Sequence, residues 1–167
     1  LSLGIVQENP IVGDIKGNLN LAKNTIERIL SEEKVDVILF TEMFLTGYPP
    51  EDLILRDDLL FAVEEALEGL SKISPDTYIV MGYPRKIGQN IFNSAGVLHN
   101  NEVVLEYHKQ ELPNYEVFDE KRYFSPGKGP GIFKIGDLKL ALTVCEDIWH
   151  TKAVRQASRR GADLILN

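Results

Sequence analysis

The sequence predicts an α/β fold built around a mixed sheet. Short apolar strand-like runs alternate with amphipathic helical patterns from the first residues onward. Two hairpin signals, His99-Asn-Asn101 and Gly136-Asp137, add antiparallel pairs to that crossover pattern. The 167 residues, 44% hydrophobic and 26% charged, suffice for one domain with a sizeable core.

Taken in order, Leu3 to Val6 reads as a strand, and Asn9-Pro10 and Gly13-Asp14 punctuate its exit. Leu19, Ala22, Ile26, Ile29 and Leu30 recur at helical spacing. Val35 to Phe40 is a continuous apolar run, as expected of a strand buried on both faces, and it ends at Thr41-Glu42. The two prolines of Thr46-Gly-Tyr-Pro-Pro50 exclude regular structure there. Leu59, Leu60, Val63, Leu67 and Leu70 define a second helix, closed by Ser74-Pro75.

Tyr78 to Tyr83 is the next strand, and Phe92 to Leu98 and Val103 to Tyr107 flank the first hairpin turn. The stretch Lys109 to Phe124, with Pro113 inside it, is expected to be a loop with one helical turn. Gly127 to Gly131 lacks the spacing of a phosphate loop and reads as a turn into a strand. Ile132 to Ile135 and Leu138 to Val144 form the second hairpin. A last helix is expected from about Ile148 to Arg160, with Gly161 as its C-cap and Arg159 and Arg160 at its negative end.

Charge and composition narrow the function classes. A net charge of −7 argues against nucleic acid and against an anionic membrane as partners. One cysteine makes no internal disulfide, which fits a reducing cytoplasmic compartment. No apolar stretch reaches the roughly 18 residues of a spanning helix, and no secretory leader pattern is present. The three scattered histidines and single cysteine give no metal-ligand spacing. The chain starts at Leu1 without a methionine and stops after the strand-like Asp163-Leu-Ile-Leu, so a fragment of a longer polypeptide is expected.

Three residues could carry chemistry. Cys145 follows an apolar run and precedes an acidic pair, a place where a strand tip would expose a thiol beside backbone N–H donors. By itself a lone cysteine reads more readily as buried apolar filler. Glu42 ends a buried strand before a Gly/Pro-rich loop, where α/β sheets place ligands, and it could act as a general base or merely pair within the loop. Lys109 follows a strand and could aim a cation into the same cleft, or lie on the surface. A Cys–His dyad is a further possibility, and residue type does not choose among His99, His108 and His150.

The stretches FTEMFLTGYPPEDL around Glu42, YHKQELPNYEVFDEKRYF around Lys109 and LTVCEDIW around Cys145 resemble the nitrilase, or carbon–nitrogen hydrolase, superfamily. The opening GIVQENPIVGDIKGN looks like that family's first strand and loop. The TGYPPEDL and CEDIW forms look most like the glutaminase domains of glutamine-dependent NAD synthetases.

This resemblance implies an αββα sandwich, here truncated at its C-terminal side. Residues 1–167 would be the N-terminal part of the hydrolase domain. Glu42, Lys109 and Cys145 would be the catalytic set, hydrolysing the side-chain amide of glutamine through a thioester without any imidazole. Tyr48, Tyr115, Phe118 and Glu146 would line the substrate pocket, and Glu120 would be a supporting glutamate beside the lysine. Asp147 and Trp149 would shape the turn and its packing. No cofactor is implied for that step. ATP and magnesium would serve a synthetase domain of the same parent protein, absent from this chain. A truncated sandwich would expose an edge or apolar face, so a homo-oligomer is expected. A free-standing small-amide hydrolase is the same-chemistry alternative, and a non-catalytic oligomerisation or partner-binding fragment is the alternative of another class.

Overall fold

The computed structural model describes residues 1–73 and 76–167, so the expected helix stop at Ser74-Pro75 lies outside the described residues. Two sheets form. The larger has the order β1 (Leu3–Ile5), β2 (Val37–Leu39), β3 (Tyr78–Ile87), β4 (Asn90–His99), β5 (Glu102–His108). Its first three strands run parallel and its last two pairs antiparallel. The smaller sheet holds β6 (Gly131–Ile135), β7 (Leu138–Leu142) and β8 (Leu164–Leu166), with β6–β7 antiparallel and β7–β8 parallel.

Helix α1 (Ile15–Glu32) starts where the Asp14 side chain accepts from Gly17 N–H at 2.9 Å, satisfying one orphan donor of the first turn. It joins α2 (Asp57–Ser71) on one face of the larger sheet, where Ala22, Ile26, Val63, Leu67 and Leu70 pack with Ile38, Ile79, Met81 and Leu98. The alternate residues Val37, Val80 and Val97 point the other way and meet Phe133, Leu140, Leu142 and Leu166 of the smaller sheet. This alternation is the period-two pattern of a strand buried on both sides. With one face of the smaller sheet so covered, the β7–β8 crossover carries α4 (Thr151–Arg159) over its other face, giving αββα layers.

Both hairpin expectations hold. Asn100 and Asn101 have φ of 52° and 67° and turn β4 into β5, as a two-residue left-handed turn requires. Gly136, at φ 58°, turns β6 into β7.

Three elements depart from expectation. Strand β3 runs four residues beyond Tyr83, through Pro84, because β4 extends with it to a tight turn at Gly88-Gln89. Glu51–Leu55 forms a 3₁₀ turn after the two prolines. The last helix starts at Thr151 and not at Ile148, because Cys145–Trp149 is a separate 3₁₀ turn and His150 is extended. The turn Glu120–Tyr123, α3, is the single helical turn expected within the long loop.

Gly82 on β3 sets how closely the Glu42 segment approaches the sheet. A Cβ there would lie 2.5 Å from Met43 N and 2.5 Å from Thr41 O, both backbone atoms that cannot swing aside. Gly82→Ala should therefore shift residues 41–43 and destabilise the fold by about 1–3 kcal/mol, read as a lower urea midpoint. An unchanged midpoint would show that this contact yields without loss.

Candidate active site

Glu42 and Lys109 leave strands separated by β3 and β4 in the larger sheet, yet their side chains meet. Glu42 follows β2, and Lys109 follows β5, held by its N–H donating 2.8 Å to the Asn93 carbonyl. Lys109 Nζ donates to Glu42 Oε1 at 2.7 Å and to Glu120 Oε1 at 2.9 Å. The lysine side chain has no solvent-exposed surface and that of Glu120 has 4%. The Tyr48 hydroxyl donates to the same Glu120 oxygen at 3.0 Å.

Cys145 sits three residues beyond β7, on the first residue of the 3₁₀ turn, at φ 41°. An L-residue in the left-handed region is strained. The thiol is exposed rather than buried, which removes the apolar-filler reading. It opens onto a cleft of about 250 Å³ between the two sheets, shared with Glu42, Phe40, Gly82, Ser94, Leu142 and Val144. The Glu42 carboxylate lines the same cleft, and its charge acts on the thiol.

The charges in this cluster act on one another. Burial opposes the Lys109 charge, but Glu42 and Glu120 outweigh it and hold the ammonium above its usual range. Burial pushes the Glu120 carboxyl up, and Lys109 reverses only part of that rise. The cleft walls desolvate one side of the Cys145 thiol and, with Glu42 second, push it up, with Lys109 pulling in the opposite direction. The resting thiol is thus protonated at neutral pH, and a nucleophile at this place needs a base beside it.

The remaining expected residues form an aromatic wall of their own and do not line the Cys145 cleft. The Phe118 ring lies 5.6 Å from that of Tyr115 and 6.4 Å from that of Tyr48. The Tyr115 hydroxyl donates to Glu146 Oε2 at 2.9 Å, and the other Glu146 oxygen lies 3.2 Å from His150 Nε2. No histidine serves a dyad: His108 bonds Ser94 and stacks on Phe92, His99 stacks on Tyr78, and His150 faces Glu146. Trp149 is 79% exposed, so it does not pack the turn as expected.

Asp147 does shape the turn, and it also ties it to the lysine loop. This fully buried carboxylate accepts from Val144 N at 3.0 Å, Gln110 N at 3.0 Å, Glu111 N at 2.9 Å and the Tyr107 hydroxyl at 2.8 Å. Those donors flank Cys145 on one side and Lys109 on the other. Sequence reading missed the Gln110 and Glu111 contacts, since only the acid's position two residues after Cys145 was visible. Asp147→Ala should strand four buried donors and cost about 3–5 kcal/mol, whereas Asp147→Asn keeps an acceptor and should cost less. Urea midpoints of the two variants equal to that of the parent would remove the clamp.

The chain matches the carbon–nitrogen hydrolase family model over residues 2–167. It is 35% identical over 168 residues to a glutamine-dependent NAD(+) synthetase of Xylella fastidiosa, covering 99% of this chain and 31% of that protein. It superposes on the solved glutamine-dependent NAD+ synthetase of Acinetobacter baumannii, in complex with ADP, with TM-score 0.93 and 33% identity over 99% of this chain and 32% of that one. An amidase from Nesterenkonia sp. AN1 aligns with TM-score 0.86 and 26% identity, over 99% of this chain and 63% of that one. That structure is of a mutant of the amidase, with the acetamide moiety of fluoroacetamide covalently added at the active site cysteine. The chain thus spans about a third of the length of the synthetases it matches.

Proposed function

Because the chain belongs to the carbon–nitrogen hydrolase family, we propose that it hydrolyses the side-chain amide of glutamine through a Cys145 thioester. The observation that carries this reading is the buried Glu42–Lys109–Glu120 ion cluster set against an exposed, protonated thiol. Cys145 Sγ forms the bond to the amide carbon as its proton passes to Glu42. The tetrahedral oxyanion takes a hydrogen bond from Glu146 N–H, which has no backbone acceptor among the described residues. Lys109 has no exposed surface and supports the oxyanion through its charge.

Collapse of the intermediate breaks the carbon–nitrogen bond, and Glu42 returns the proton so that ammonia leaves. Water then attacks the thioester with Glu42 again as base, releasing glutamate and the thiol. Tyr48, Tyr115 and Phe118 line the acyl site, and the Glu146 carboxylate offers the charge that an amino acid's α-ammonium requires. Glu120 holds Lys109 from the far side.

The synthetase relatives support glutamine over other small amides, and support ammonia delivery to an ATP- and magnesium-dependent synthetase domain outside residues 1–167. A cytoplasmic homo-oligomer is part of the same proposal. Cys145→Ala should lower ammonia release from glutamine by at least about 10³-fold, while its fold, with no buried sulfur to lose, should stay intact by circular dichroism. Retained ammonia release would end the thioester reading. A preference for nitriles or asparagine over glutamine in competition would favour the general amidase instead.

A further inference from the structure

Asn93 lies mid-strand on β4 and is 1% exposed. Its Nδ2 donates to Glu42 Oε1 at 2.6 Å and approaches Glu120 Oε1 at 3.5 Å. The neighbours fix the orientation of this amide, because the reverse would aim Oδ1 lone pairs at two carboxylates. As oriented, Oδ1 is buried without a hydrogen-bond partner among the described residues. The amide is thus turned to serve its donor end while its acceptor end goes unmet. The backbone carbonyl of the same residue receives Lys109 N–H at 2.8 Å. One residue therefore indexes both the carboxylate and the lysine.

Asn93 Nδ2 and Lys109 Nζ converge on a single oxygen, Oε1 of Glu42, and Oε2 receives no donor among the described residues. We propose that Asn93 is the positioning residue for Glu42: sharing Oε1 with Lys109, it fixes the carboxylate's rotation and leaves Oε2 to take the Cys145 proton. This rests on the reading of Glu42 as the base. Asn93→Ala removes one of the two donors that hold Oε1. The other groups facing Glu42 are the Lys109 ammonium after β5, Glu120 on α3, the Tyr48 hydroxyl and the Cys145 thiol, and an Asn93 variant retains all of them.

The test is the rate of Cys145 alkylation by iodoacetamide against pH, in the whole protein and in Asn93→Ala, Asn93→Asp and Glu42→Gln. Asn93→Ala should move the acid limb up by on the order of 1 pH unit, which slows alkylation by about tenfold at pH values on that limb. Asn93→Asp, nearly isosteric, adds a third carboxylate and should move the limb further. A merely structural asparagine would lower folding stability and leave the limb in place. If Glu42→Gln abolishes the limb while neither Asn93 variant moves it, the positioning role is wrong and the base stands. If Glu42→Gln itself leaves the limb unchanged, the base assignment fails first. Should Asn93→Ala not fold, Asn93→Asp decides alone.

Discussion

The site depends on one ammonium enclosed between two carboxylates. Lys109 is out of water, and a lone buried ammonium would shed its proton before it stayed charged. Glu42 at 2.7 Å and Glu120 at 2.9 Å make the charged form the stable one. The arrangement holds one positive and up to two negative charges, so it carries an excess of negative charge wherever Glu120 is ionised. Burial resists that excess at Glu120, and the same field reaches the thiol and keeps it protonated. In the proposed reaction, a neutral thiol beside an anchored carboxylate suits proton transfer coupled to attack and not a standing thiolate.

Such a cluster demands a rigid frame, because its members come from elements far apart in sequence. Glu42, Asn93, Lys109 and Glu120 stand after β2, on β4, after β5 and on α3. Within the larger sheet, ladder bonds and the Lys109 N–H to Asn93 contact hold three of them. The thiol belongs to the other sheet, so sheet packing alone would leave its distance loosely set. Asp147 supplies the missing tie, with one carboxylate gripping backbone on both sides of the gap. Loss of any one of the four donors would leave the buried carboxylate short of a partner and loosen both sides of the gap together.

Much of this was legible in the sequence because it rests on local rules. Asparagine pairs and Gly-Asp mark left-handed turns, and continuous apolar runs mark strands covered on both faces, so Asn100-Asn101, Gly136 and Val37–Leu39 were readable. Glu42, Lys109 and Cys145 were readable as strand-end residues, whereas Glu120 came only with the family resemblance. What escaped depends on contacts across the fold. Asn93 sits inside an apolar strand pattern, and its single polar side chain gave no period to interpret. The Gly88-Gln89 turn was hidden by Pro84, which reads as a strand end but is tolerated where β2 no longer pairs with β3. The break before Thr151 was hidden because a helical period runs across it, while the capture of Val144 N–H by Asp147 is a tertiary choice.

Backbone strain falls at the same places as the chemistry. Met43, directly after Glu42, has φ 52°; Glu116, inside the aromatic wall, has φ 54°; Cys145 has φ 41°. Each costs about 1–3 kcal/mol relative to relaxed backbone, and none is a glycine that would adopt the angle freely. The packing around them explains why they persist. Gly82 admits the backbone of residues 41–43 at a distance no side chain would permit, and Asp147 binds the turn that carries the thiol. Strain at Met43 and Cys145 accompanies the placing of a carboxylate and a thiol on one cleft between the two sheets, where a relaxed strand end would direct them along its own axis. The packing of the two cores holds that pair, the proposed base and nucleophile, in place.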